Sequence, residues 1–168
     1  MTNSEISDVF SLLSKLMDIH GENSFKAKSY SNAAFQIDRL PLPLSEMARE
    51  QIPGLKGIGD SAAKKIEELL DTGTLSQLQD LLNKTPDGIL QLMKIKGIGP
   101  KKIATIWHEL GVESPGELLY ACNENRLIHY KGFGEKTQAS IREALEFYFN
   151  NQQKYLYASL EPYAVKLL

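Results

Sequence analysis

Cysteine is almost missing from this chain: Cys122 stands alone. That rules out an intramolecular disulfide framework and fits a reducing, cytoplasmic setting. Histidine is nearly as scarce. His20, His108 and His129 are scattered with no second cysteine near them, so their spacing suggests no zinc site. Neither a secretory apolar segment nor an apolar run of about 18 residues occurs, leaving secretion and membrane spanning unsupported. No stretch alternates apolar and polar residues as a half-buried strand does, so an all-α fold is expected.

What remains is ordinary for a globular chain of 168 residues: 42% hydrophobic and 24% charged. Wholesale disorder is therefore not expected, and the length suits one sizeable domain or two small ones. One tetrapeptide pattern recurs three times: Lys56-Gly57-Ile58-Gly59, Lys96-Gly97-Ile98-Gly99 and Lys131-Gly132-Phe133-Gly134. Each predicts a tight turn that presents backbone N–H groups at a helix N-terminus, where an anion is favoured. The apolar residue between the glycines is expected to plug into the helices below. Seven residues past each second glycine stands Ile66, Ile106 or Ile141, and eleven past it Leu70, Leu110 or Leu145. That offset puts each pair on one face of the following helix. A short apolar stretch such as Ile89, Leu90, Leu92 and Met93 reads as a brief helix ahead of the turn. The repeated unit is helix, glycine hairpin, helix.

The net charge of −2 argues against nucleic acid only until its distribution is considered. Residues 92–111 carry Lys94, Lys96, Lys101 and Lys102 against Glu109 alone. Residues 125–142 carry Arg126, Lys131, Lys136 and Arg142 against Glu135 alone. These two modules suit phosphate contact, whereas the first hairpin lies in a slightly acidic stretch. Gly132 through Thr137 superficially matches a P-loop, but Lys136 follows Glu135 rather than glycine and no strand precedes it.

Ahead of the hairpins, residues 4–20 and 25–39 predict two amphipathic helices, the first stopped by Gly21 and the second closed by Pro41 and Pro43. Ser45 is placed to cap a third, short helix ending before Pro53. Ser114, Pro115 and Glu117 predict a helix start with cap, first-turn proline and capping-box acid. A boundary is expected between 74 and 85, dividing the chain into residues 1–75, residues 76–150 and an extension at 151–168. That last stretch reads as a helix awaiting a partner, as in a piece of a longer protein. Trp107, one residue after Ile106, is expected to pack in the core.

Asn23-Ser24-Phe25-Lys26-Ala27-Lys28-Ser29-Tyr30 leading into Ala33-Ala34 resembles the start of family X DNA polymerases. So do Ile52-Pro53-Gly54 and the run from Lys64-Lys65-Ile66-Glu67-Glu68 to Thr72-Gly73, while residues 132–137 look most like the bacterial, DNA polymerase X branch. The resemblance implies a small lyase-like helical domain followed by tandem helix-hairpin-helix modules, all-α throughout. It implies sequence-independent binding of gapped, nicked or duplex DNA in base excision repair, in a bacterial cytoplasm near the nucleoid. The catalytic polymerase palm is missing: no two aspartates are separated by one residue. Nucleotidyl transfer, with its Mg ions, would belong to that absent part.

Residue by residue, the resemblance puts Lys65 at the position of the Schiff-base nucleophile of a 5′-deoxyribose-phosphate lyase. Such chemistry needs a neutral amine, a state that neighbouring cations favour, and Lys64 and Lys56 are nearby. Lys26, Tyr30 and Lys64 match a 5′-phosphate pocket. Phe25 stands where lyase-active members can have histidine, and Ser61 where they have another phosphate-binding lysine. DNA backbone contact is expected from Lys56, Gly57, Gly59, Lys96, Gly97, Gly99, Lys101, Lys102, Lys131, Gly132, Gly134 and Lys136. Carbonyls of Ile95 and Ile98 are candidates for a Na⁺ or K⁺ ion that bridges to a phosphate; no other cofactor is expected. A non-catalytic protein-interaction module, its hairpins serving only to stabilise helices, is the remaining alternative.

Overall fold

A computed structural model describes the backbone of residues 1–164 and the side chains of residues 1–153. Those residues form helices and connecting turns, with no strand among them. They divide into two compact units, Met1–Thr85 and Pro86–Leu168.

In the first unit, Thr2 and Glu5 close a capping box that starts helix α1 (Asn3–Ile19). Ile6, Phe10, Leu13, Leu16 and Met17 recur at helical spacing and are buried. They pack on α2 (Ser24–Asp38), whose Ala27, Ala33 and Ala34 let the two backbones come close. Two serines fix the register. Ser7 Oγ donates to Ala34 O at 2.8 Å and Ser14 Oγ to Ala27 O at 2.7 Å, so the helices run antiparallel. The Phe10 and Tyr30 rings meet edge to face at 5.9 Å.

The third, Ser45-capped helix does not form. Two 3₁₀ turns, Leu44–Glu46 and Arg49–Gly54, take its place, with Pro53 inside the second. Met47 and Ala48 are extended, at ψ 146° and 136°, and split the segment into two short turns. Asn3 clamps this segment from α1, donating to Leu42 O and accepting from Leu44 N–H.

Helix α3 (Asp60–Thr72) follows and stops at Gly73, whose φ is +75°. Glu68 then accepts from both the N–H and the hydroxyl of Ser76, which opens α4 (Ser76–Asn83). The Ser76 N–H bond holds the Glu68 carboxyl below its ordinary value. α4 packs on α1, and Thr85 Oγ, donating to Leu81 O, lies 2.7 Å from His20 Nε2. Residues 76–85 therefore belong with the first unit rather than with the modules that follow.

The second unit begins with α5 (Asp87–Met93) and α6 (Pro100–His108). Gly88 lies so close to the loop ahead of the next helix that a Cβ there would stand 1.9 Å from Glu113 O. α6 is shorter than its pattern implies. Gly111, at φ +70°, turns the chain, Leu110 N–H reaches Thr105 O and Val112 N–H reaches Ile106 O. Leu110 is thus buried from just past the helix end rather than from the helix itself.

Ser114 caps α7 (Pro115–Asn123) as expected. Glu117, however, accepts from Glu113 N–H, one residue before the capping-box position. α7 closes at Asn125 (φ 53°), which leads to a 3₁₀ turn, Leu127–His129, and then to α8 (Glu135–Ala164). Of the terminal stretch expected to await a partner, side chains from 154 onward and residues 165–168 lie outside the described residues.

Candidate nucleic-acid interface

All three tetrapeptides build the same object. Ile58 N–H donates to Leu55 O at 3.1 Å, Ile98 N–H to Ile95 O at 3.4 Å and Phe133 N–H to Tyr130 O at 3.1 Å. Each bond closes a four-residue turn with lysine second and glycine third. The third position is left-handed in every copy: φ is +79° at Gly57, +93° at Gly97 and +90° at Gly132. This is type II geometry, which glycine adopts without strain. Ile58, Ile98 and Phe133 plug the core at 3%, 5% and 5% exposure, as the pattern predicts. Ahead of the turns the copies differ, with 3₁₀ structure before the first and third and an α-helix before the second.

The second glycine is the more telling one. Gly59 and Gly99 are extended, at φ −83° and −80°, a conformation open to any residue. A Cβ at Gly59, Gly99 or Gly134 would meet no protein atom within 4 Å. Nothing inside the protein asks for glycine there. These positions are the entrance to a helix. Gly59, Gly99 and Gly134 carbonyls accept the first helical bonds, from Ala63, Ile103 and Gln138. No side chain caps α3 or α6, so their first-turn N–H groups face outward.

Lys56, Lys96 and Lys131 stand exposed at the turns, as do Lys101 and Lys136 in the first turns of α6 and α8; Lys102 is half-buried. The second entrance is thus rimmed by ammonium groups alone and suited to a phosphate, whereas Asp60 and Glu135 open α3 and α8 beside the lysines of the first and third.

The first 75 residues match the family model described as a helix-hairpin-helix domain. Residues 89–146 match that of a SAM-like helix-hairpin-helix tandem. The chain is 33% identical over 145 residues to the DNA polymerase/3′-5′ exonuclease PolX of Bacillus subtilis, covering 86% of this chain and 25% of that protein. It is 31% identical over 124 residues to the DNA nucleotidylexotransferase of Ambystoma mexicanum, covering 73% and 23%. DNA polymerase IV of Saccharomyces cerevisiae is 35% identical over 102 residues, covering 61% and 17%. The chain belongs with the N-terminal helix-hairpin-helix regions of the family X DNA polymerases. It spans a quarter or less of the length of these relatives. The two helix-hairpin-helix domains and the polymerase relatives support DNA binding in a family X polymerase region.

Within this family X region, the first-unit residues that the resemblance singles out fall into two groups. Tyr30, Ser61 and Lys65 come together: Tyr30 Oη lies 2.6 Å from Ser61 Oγ, and Lys65 Nζ sits 5.5 Å from the Tyr30 ring centroid. Lys26 and Lys64 are exposed on α2 and α3. Tyr30 is 2% exposed, so its ring is core, and its hydroxyl is engaged by Ser61. Trp107, expected in the core, is half-buried; it stacks on His108 at 4.4 Å, and its Nε1 lies 3.4 Å from Glu113 Oε1.

One bracing residue escaped the sequence reading. Gln138 is 5% exposed, accepts from Leu127 N–H at 3.2 Å and donates to Asn125 Oδ1 at 2.9 Å, pinning the segment that enters the third hairpin. Its signal was available: four residues past the second glycine the other copies carry Ala63 and Ile103, so a polar residue in that register marks a buried hydrogen-bonded amide.

Proposed function

We propose that this region binds gapped or nicked DNA through its phosphate backbone, without reading sequence, on behalf of a family X polymerase. The observation that carries the reading is the second glycine of each hairpin, which no internal contact requires and which keeps a helix entrance open. Gly57, Gly59, Gly97, Gly99, Gly132 and Gly134 would bring backbone N–H groups to phosphate oxygens. Lys56, Lys96, Lys101, Lys102, Lys131 and Lys136 would add charge. Such contacts position DNA but carry no base information. The long turn bond accepted by Ile95 O leaves that carbonyl a lone pair. With Ile98 O it would hold a Na⁺ or K⁺ ion, which places a positive charge beside a phosphate.

Lys26, Lys64 and the first hairpin would recognise the 5′-phosphate at the gap, with the Tyr30 hydroxyl beside them. Fluorescence anisotropy on a 5′-phosphorylated gap, its unphosphorylated counterpart and an intact duplex tests this. The phosphorylated gap should bind tightest, and affinity should fall steeply with salt. Equal affinity for all three substrates removes the 5′-phosphate site, and a flat salt response removes the backbone contacts.

A second reading, 5′-deoxyribose-phosphate lyase activity, is favoured by one observation. Lys65 is the half-buried lysine of the first unit, held over the Tyr30 ring, while Lys15, Lys26, Lys28, Lys56, Lys64 and Lys84 are exposed. Its Nζ would add to the C1′ aldehyde of an incised abasic site and expel water to form a Schiff base. Borohydride reduction should then trap a covalent adduct that Lys65→Ala abolishes. No adduct, or one that persists in the variant, sinks this reading.

A further inference from the structure

The second half of α8 carries aromatic side chains that the core does not use. Leu145 is the last buried residue of the described helix, and none from Glu146 to Gln153 is buried. Phe147 is 68% solvent-exposed. Ala144, Phe147 and Asn151 recur at three- and four-residue spacing and share one face of the helix. That face lines a groove of about 730 Å³, a size in the range of small-ligand sites. The lining also includes Lys94, Ile95 and Lys96, which lead into and open the second glycine turn.

This lining has the chemistry of a nucleobase site. Phe147 offers an exposed ring for stacking, and Ile95 adds an apolar surface. Tyr148 is held in place: its hydroxyl accepts from Gln152 Nε2 at 2.7 Å, and its ring meets that of Phe149 edge to face at 5.4 Å. The Asn151 and Gln152 amides carry both donors and acceptors, as the polar edge of a base requires. Glu143 is the carboxylate of the lining, an acceptor for an exocyclic amino group. Lys94 and Lys96 are exposed and outnumber it, so the groove is net positive.

The groove is also continuous with the surface read above as DNA-binding. Lys96 belongs both to its lining and to the rim of the second helix entrance, the one without an acid. A backbone held at Gly97 and Gly99 would run past the groove and bring a displaced nucleotide within its reach. A base paired and stacked in a duplex cannot enter. A bulged base is already unpaired and enters without the cost of opening a pair. Such a ligand brings phosphate to the lysines, whereas an apolar partner helix would meet Lys94 and Lys96 with no counter-charge.

We infer that this groove is a pocket for an extrahelical base, displaced from the duplex whose backbone the second hairpin holds, with Phe147 as its stacking surface. The inference rests on the DNA-binding reading above and deepens it. Fluorescence anisotropy of the intact chain with a duplex carrying one bulged adenine, and with the same duplex lacking the bulge, tests it. The bulged duplex should bind tighter. Phe147→Ala should weaken that binding by roughly tenfold while sparing the uninterrupted duplex. Lys96→Gln should weaken both and reduce their salt dependence. With iodouracil as the bulged base, photocross-linking and mass spectrometry should place the adduct among residues 144–152. Phe147 is exposed, so the fold should survive its loss; circular dichroism checks this.

Equal affinity of the wild-type chain for both duplexes overturns the pocket while leaving the hairpin reading intact. An equal loss on both in Phe147→Ala, or a cross-link confined to other residues, does the same. A wild-type chain that binds neither duplex at low salt overturns both readings. Concentration-dependent dimers in light scattering that disappear in Phe147→Ala would assign the groove to a second copy instead.

Discussion

Replacing Gly99 by alanine separates folding from binding more sharply than any charge change would. The position has φ −80° and ψ 166°, where alanine is unstrained, and open space where the new methyl would stand. Alanine also has less freedom to lose from the unfolded chain, so Gly99→Ala should leave stability unchanged or raise it by about 0.4–1 kcal/mol. The same methyl stands in the path of any phosphate approaching the first turn of α6. Losing one charge-assisted backbone hydrogen bond there costs about 1.5–3 kcal/mol, a fall in affinity of roughly tenfold to a hundredfold. Gly97→Ala is the matched contrast, because its φ of +93° forces strain on alanine. It should lose about 1–2 kcal/mol of stability. For a unit of this size that lowers the melting temperature by several degrees. Thermal denaturation and anisotropy on gapped DNA, run on both variants, read the two quantities separately. A Gly99→Ala protein that binds DNA as tightly as wild type would refute the argument from the second glycine.

Other outcomes follow from the packing. Phe10→Ala should cost about 3–5 kcal/mol in the first unit, read by chemical denaturation, since the ring is fully buried against α2. Gln138→Leu should strand the Leu127 N–H and cost about 1–3 kcal/mol, and it should weaken DNA binding through the third hairpin. Burial pushes the Cys122 thiol up from 9.0 to about 11, partly offset by Arg142. Between those values the unfolded chain has lost a proton that the folded chain keeps, so stability should fall as pH rises from about 9 to 11. Cys122→Ala should flatten that part of the pH profile, and an unchanged slope would exclude the thiol as its cause.

The hairpins were legible in the sequence because each link in them is local. Lysine, left-handed glycine, apolar plug and helix-capping glycine occupy four consecutive residues, and no distant contact can change their roles. α1 and α2 were legible for a similar reason, since each carries a long, regular apolar stripe. The proline-rich stretch after α2 was misread because an isolated cap such as Ser45 looks the same before an α-helix as before a turn. What decides between them is the extended backbone at Met47 and Ala48, which no cap residue signals. The allegiance of α4 was hidden for another reason. Its apolar face fits either neighbour, and Glu68, Thr85 and His20, which tie it to the first unit, are ordinary polar residues until folding brings them together. Ser61 was seen only as a missing lysine, and its bond to Tyr30 could not be read from spacing.

The three hairpins are uniform from the turn onward and dissimilar ahead of it. Chain length is therefore free on the entry side and fixed on the exit side. A residue or two added after Glu124, in the connection that leads to the third turn, would break the backbone bonds of Asn125 and Arg126 to α7 but leave the turn itself intact. The same addition after Gly134 would rotate α8 beneath its own turn and take Ile141 and Leu145 out of the core. A lineage carrying this module could vary the 40- and 35-residue intervals between its turns and still leave each helix entrance intact.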